Sequence, residues 1–433
     1  MSFIMNLVYE PKKIIDVTKS QATFKRALNC IPAGIYGHLG PSEGCMVPVS
    51  SYPLYMDHAQ GAYIYDIDGN RIIDYMCGYG PNYLGYNDPD VDAAAAAQRK
   101  KGDCTTLISD ITVEFAEEVC KTINMADWAF FAKNGNDVTQ FAMMIARAYT
   151  GRKKMVLTKG WYHGVSPWTQ KLGYSGIIEE DVCNNLYIEW NHPEQFEALC
   201  QQYEGQIAGF ISQPYQHGNF ADNELPAPGY WQKIREICDK YGVVLIIDDV
   251  RAGFRIDING SDYHYGIKSD LSCFCKAIAN GYNVSCLCGN KKLLNATSDI
   301  AYTGSYWLSA VPFAAGIATL RKAKALNATE ENAKKGKKLT DGLKEIAKDN
   351  GFDLRVTGEP GMFYLRLAND LPSRVIHQDW VCECVKRGVF FTSHHNHFIN
   401  YALSNEDIQY TWEVADEAYK VVRERYPQAQ LIK

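Results

Sequence analysis

Between residues 128 and 310 the chain alternates short apolar runs with stretches of helical period, the pattern of a mostly parallel sheet covered by helices. The runs WAFFA (128–132), KMVLT (154–158), AGFIS (208–212), VVLII (243–247) and LSCFC (271–275) read as strands. Each gives way to polar or glycine-rich sequence: KNGND, GWYHG, Gln213-Pro214, Asp248-Asp249 and Lys276. Open parallel sheets bind ligands beyond the carboxyl ends of their strands, so five such ends predict one shared crevice. Upstream, YIYDI, the turn Asp68-Gly69-Asn70 and RIIDYM predict a hairpin that opens the main domain. After residue 315 the pattern changes to a Lys-rich helical stretch, alternating segments such as MFYLRL (362–367) and a final helix. Ser404 and Asp407 have capping-box spacing there, and Ile408, Trp412, Ala415, Tyr419 and Val422 form one apolar stripe.

The length of 433 residues suggests two or three domains. Lys plus Arg total 44 against 50 Asp plus Glu, a formal charge of -6, and no polybasic run stands out. That balance argues against nucleic acid or an anionic membrane as partner and favours a small molecule. No apolar stretch approaches the roughly 18 residues of a membrane span. The start, MSFIMNLVYEPKK, lacks a secretory signal's basic head and cleavage site, so a cytoplasmic protein is expected. Fourteen cysteines without a CxxC pair do not form a disulfide or zinc framework, and no metal is expected. Three pairs, Cys273 and Cys275, Cys286 and Cys288, Cys382 and Cys384, have the spacing that puts both side chains on one face of a strand.

Chemistry concentrates at the strand ends. Lys276 is flanked by small and apolar residues, where desolvation would lower the amine's pKa and make it a better nucleophile toward an aldehyde. Asp248 closes an apolar strand and needs a cationic partner. Either a protonated pyridine nitrogen, which turns its ring into an electron sink, or Arg251 or Arg255 would serve. Asn134-Gly135-Asn136-Asp137 precedes a helix with Val138, Phe141, Ala142, Ile145 and Ala148 on one face; it reads as a phosphate site or as an ordinary Asn/Asp cap. Trp161-Tyr162 could stack on a flat cofactor or simply pack. GYG at 78–80 lacks GxGxxG spacing, and no GxSxG elbow, Walker A loop or HExxH helix is present.

These residues in this order resemble the class III (subgroup II) pyridoxal-phosphate aminotransferases. The resemblance runs from GAYIYDIDGNRIIDY near residue 61 through NGNDV, ARAYTGRKK, WYHG, LIIDDVRAGFR and CKAIANG to EDIQYTWEVADEAY. Within the class, IPAG near residue 31, GYGPNYLGY near 78 and ARAYTGR look most like the glutamate-1-semialdehyde aminomutase branch. It implies an α/β, fold-type-I enzyme: an N-terminal segment 1–60 contributing to a small domain, a large cofactor domain 61–314 and a small α+β domain 315–433. It implies pyridoxal 5'-phosphate as cofactor, Lys276 as Schiff-base lysine and proton carrier, and Asp248 on the pyridine nitrogen. Val250 would lie beneath the ring and Tyr162 above it, with Gly135 and Asn136 at the phosphate. Ser305 would reach the phosphate of a neighbouring subunit in a homodimer.

The expected reaction is transamination between an amine and a keto substrate. The family's Asp-Glu-Val is here Asp248-Asp249-Val250, and its Glu-Pro is Gln213-Pro214, so the glutamate that balances a substrate-binding arginine is absent. The stretch IYGHLGPSE after IPAG also lacks the aminomutase branch's arginine for the substrate carboxylate. This favours an amine or carbonyl on a neutral, hydroxylated or otherwise atypical skeleton, such as a sugar-derived or secondary metabolite. The alternatives are an aminomutase or epimerase, or a noncatalytic binding subunit. His394-His395-Asn396-His397 reads as an exposed loop bordering the active-site mouth, and Tyr79, His163, Gln213 and His395 are the candidates for substrate contact.

Overall fold

The structure, a computed structural model, describes residues 11–35, 50–368, 370 and 374–427. Two compact units divide the chain: Met1–Asp88 with Asn219–Asn223 and Glu330–Lys433, and Pro89–Gly218 with Glu224–Thr329. The boundaries therefore fall near 88 and 329, not at 60 and 314. Strands are numbered along the whole chain.

In the first unit β1 (Met56–Gln60), β2 (Tyr63–Asp66) and β3 (Arg71–Asp74) form an antiparallel meander. The predicted hairpin joins β2 to β3, with Gly69 at φ 89° supplying the left-handed turn residue. It belongs to this unit and does not open the large one, because β13 (Val389–Phe390) pairs in parallel with β3 and places Val389 opposite Ile73. A second sheet joins β11 (Leu354–Glu359), β12 (Met362–Leu367) and β14 (His397–Phe398). The final helix, Asn405–Arg425, starts as predicted: the Asp407 N–H donates to Ser404 Oγ at 3.1 Å and the Ser404 N–H to Asp407 Oδ2 at 2.9 Å. All five stripe residues are buried, in a core with Leu343, Trp380 and Phe391. Cys382 and Cys384 correct the strand reading. They lie in the helix Val375–Val385, where residues two apart point about 200° from each other.

The second unit carries β4 (Trp128–Ala132), β5 (Lys154–Thr158), β6 (Asn185–Ile188), β7 (Ile207–Ser212), β8 (Val244–Asp248), β9 (Leu271–Phe274) and β10 (Ser285–Gly289). Their order is β4-β10-β9-β8-β7-β5-β6, with β10 antiparallel to both neighbours. The other six run one way, so their carboxyl ends share an edge. All five predicted strands are present to within a residue at either end, while β6 and β10 were not predicted. The helix Gly135–Thr150 buries Val138, Phe141, Ala142 and Ile145 as expected, with Met143 and Ala146 widening the face. Ala148, in its last turn, is exposed. Among the described residues no helix is long and apolar enough to cross a membrane.

Candidate active site

The carboxyl edge of the second unit's sheet gathers most of the predicted residues. Asp248 is the last residue of β8 and is buried. Both its oxygens accept: Oδ2 from the ring Nδ1 of buried His163 at 2.6 Å, and Oδ1 from the Val250 N–H at 3.1 Å. A carboxylate only accepts, so Nδ1 carries the proton in this pair. The partner that the protein itself gives Asp248 is thus the His163 ring N–H, and Arg251 acts on the carboxylate only at longer range.

His163 arrives by the alternation of the loop after β5. Trp161 turns inward onto Trp190, Tyr162 outward with its side chain half exposed, and His163 inward again. The His163 carbonyl accepts from Thr139 Oγ1 at 2.6 Å, and its ring Nε2 is buried without a hydrogen-bond partner. Gln213, just beyond β7, donates from Nε2 to the Tyr162 carbonyl at 3.1 Å, and its Oε1 is likewise buried without a partner. His163 and Gln213, expected to meet substrate, therefore each hold a neighbouring residue and keep one polar atom unused.

Lys276 follows β9 at the start of a 3-10 turn, Lys276–Ala279, with its backbone in the left-handed region at φ 48°. Such a conformation is uncommon for a residue with a side chain and clusters at functional sites. Burial, and then the positive charge of Arg251, bring its amine down to about 7. Arg251 is itself buried, donating to the His217 carbonyl at 2.7 Å, and burial lowers its guanidinium to about 10. Asp249, where the family pattern has glutamate, is buried and accepts from the Ser261 N–H and Oγ at 2.9 and 2.5 Å. Burial raises its carboxyl to about 7.

The turn after β4 is organised twice over. Asp137 accepts from the N–H groups of Lys133 and Asn134, closing the helix cap. Asn136 turns its amide oxygen to the N–H groups of Val165 and Ser166, at 2.7 and 2.9 Å, and so ties the turn to the Tyr162 loop. Its side chain is committed to that loop, leaving main-chain N–H groups at the helix N-terminus, which are of the kind that suits an anion. Gly135 packs against Val250: a Cβ there would stand 2.5 Å from Val250 Cγ1.

Ser305 lies elsewhere in this unit, on an exposed stretch beside Tyr306, and its carbonyl accepts from the Cys104 thiol at 3.1 Å. Tyr79 and His395 belong to the first unit, where their rings meet edge to face at 5.3 Å. The 394–397 segment corrects the exposed-loop reading, since all four residues are fully buried. His397 is held as a neutral ring by the Thr392 N–H, which donates to its Nε2 at 3.1 Å. The arginine-free stretch lies almost wholly outside the described residues. Sequence reasoning missed His217 and Lys133, both buried; the one signal available was their position just beyond a strand on the ligand-binding edge.

The sequence pattern of aminotransferase class-III proteins matches residues 46–405. The chain belongs to this family. It is 39% identical over 405 residues to the aminopentol aminotransferase of Sphingopyxis macrogoltabida, covering 94% of each chain. It is 29% identical to the 3-aminobutyryl-CoA aminotransferase of Cloacimonas acidaminovorans, covering 94% of this chain and 98% of that one. The structure of the PLP internal aldimine form of the FumI protein of Sphingopyxis sp. MTA144 superposes with a TM-score of 0.90 at 38% identity, over 95% of this chain and 98% of that one. The protein is a pyridoxal-phosphate-dependent aminotransferase of fold type I. Its residues suit that cofactor: a buried carboxylate at a strand end, an amine that loses its proton near neutrality, and a glycine turn opening a helix.

Proposed function

We propose that the enzyme transfers the amino group of an amine that lacks an α-carboxylate, carried on a neutral or hydroxylated skeleton, to a keto acid. The observation that carries this reading is Gln213. At the end of β7 its amide is spent on the Tyr162 carbonyl, so the position that bears glutamate in the family offers no charge to balance a carboxylate-binding arginine. The relative at 39% identity supports it, because its name denotes an amino-alcohol substrate.

Pyridoxal phosphate supplies an aldehyde that holds the amine and a ring that takes up the electron pair left when a proton departs from carbon. Lys276 is the covalent anchor and afterwards the base, since its amine is unprotonated above about pH 7. Asp248, steadied by His163, holds a ring N–H. Val250, which packs against Gly135, and Tyr162 would hold the ring between them. The main-chain N–H groups of Gly135 and Asn136 take the phosphate. The protein acts as a homodimer in which exposed Ser305 reaches the partner's phosphate.

A screen of amino donors with a keto-acid acceptor, followed by the cofactor's visible absorbance, tests the reading. Amino alcohols should convert the cofactor to its amine form at rates well above those of α-amino acids, and Lys276→Ala should abolish the change. The IPAG and GYGPNYLGY motifs favour a second reading, isomerisation within the aminomutase branch. Turnover of an amino aldehyde with no second donor or acceptor would establish it in place of transamination.

A further inference from the structure

Lys133 stands between β4 and the cap of the helix Gly135–Thr150, and nothing in the reading above uses its side chain. The residue is 9% exposed, and its Nζ is buried without a hydrogen-bond or ion-pair partner among the described residues. The ring of Phe313 lies 6.0 Å from the ammonium, the outer limit of a useful cation–π contact. Asp103 acts on it through space, but that carboxylate is already engaged: Oδ2 accepts from Arg99 Nη1 and Oδ1 from the Val311 N–H, both at 3.0 Å. A buried ammonium without a partner costs several kcal/mol. A fold keeps one where an anion from outside the protomer removes that cost.

Two neighbours indicate the anion. The Lys133 N–H donates to Asp137, so its backbone is part of the turn that opens the helix Gly135–Thr150. Its amine also feels Cys104, whose thiol is bonded to the Ser305 carbonyl. Both features are assigned to a phosphate in the proposed function, on which this step rests. We infer that Lys133 is a phosphate-binding cation, pairing with the phosphate monoester of pyridoxal phosphate held in its own protomer or in a partner copy. The shared chemistry is a dianion on an organic ring, and the pairing adds charge to a site otherwise built of N–H groups and a hydroxyl.

The test compares pyridoxal phosphate with pyridoxal, which lacks the phosphate, by equilibrium binding to the full-length apoenzyme. Lys133→Met should weaken pyridoxal phosphate by about 10- to 100-fold, the range of a charged hydrogen bond, and leave pyridoxal unchanged. Lys133→Arg should restore most of the difference and guards against a folding defect in the first variant. Equal effects on both ligands, or none, would overturn the inference. Ser305→Ala separates this from the underlying reading: if it costs phosphate-dependent affinity while Lys133→Met does not, the phosphate site stands and Lys133 is excluded from it. If neither does, the phosphate reading of this corner fails with it. Mixed dimers of Lys133→Met and Lys276→Ala subunits locate the phosphate, because only Lys276-bearing sites give the visible band. Wild-type retention of that band places Lys133 across the interface, and weakened retention places it in its own protomer; either supports the pairing.

Discussion

A neutral amine attacks an aldehyde and an ammonium does not, so with Lys276 as the proposed anchor its surroundings would decide when the apoenzyme captures its cofactor. Burial and Arg251 bring that amine to about 7, against 10.5 for an ordinary lysine. Capture of pyridoxal phosphate, followed by stopped-flow absorbance, should therefore rise with pH through about 7 and then level off. Arg251→Gln removes a positive charge and should move the midpoint upward; an unmoved midpoint would leave burial as the whole cause. The same shift acts on stability. Between about pH 7 and 10.5 the unfolded chain binds a proton at Lys276 that the folded chain does not, so apoenzyme stability rises with pH in that window. The slope from this group is at most about 1.4 kcal/mol per pH unit, and below pH 7 its cost is full and constant.

At the scale of elements, the contact between the first turn of the helix Gly135–Thr150 and Val250 links the proposed phosphate and ring supports. Gly135→Ala forces a methyl group to 2.5 Å from Val250 Cγ1, an overpacking worth about 1–3 kcal/mol. Adding Val250→Ala should recover most of that loss, read from urea midpoints of the four apoenzymes; additive losses would mean that the two residues do not meet. The strands that frame this contact were legible because buried parallel strands are continuous apolar runs bounded by polar loops. β6 was not, being a short edge strand with an exposed Tyr187, and β10 was hidden because no chemistry-bearing loop follows it. The placement of the turn and of Lys276 directly after strands was legible in the same way. The pairing of His163 with Asp248 was not, because it joins a loop to a strand end 85 residues away.

Across the whole molecule, the least legible feature was the first unit, built from both ends of the chain. The pairing of Val389 with Ile73 has no local signal, so a change of pattern at 61 or 315 could not locate its boundaries. Polar character likewise misled at 394–397, where imidazoles stand in for apolar side chains: His397 stacks on Phe363 at 5.5 Å and His377 on Trp380 at 5.8 Å. Burial lowers both His377 and His397 to about 3, against 6.5 for an exposed ring. Between those values the unfolded chain takes up protons that the fold refuses, so stability is lost as pH falls from about 6.5 toward 3. His377→Phe keeps a ring on Trp380 and removes one of the two sites. Its urea midpoint should fall less steeply than the wild type's between pH 6.5 and 4.5, the difference in slope reaching at most about 1.4 kcal/mol per pH unit. Parallel profiles would show that His377 is not among the groups whose protonation unfolds the protein in acid.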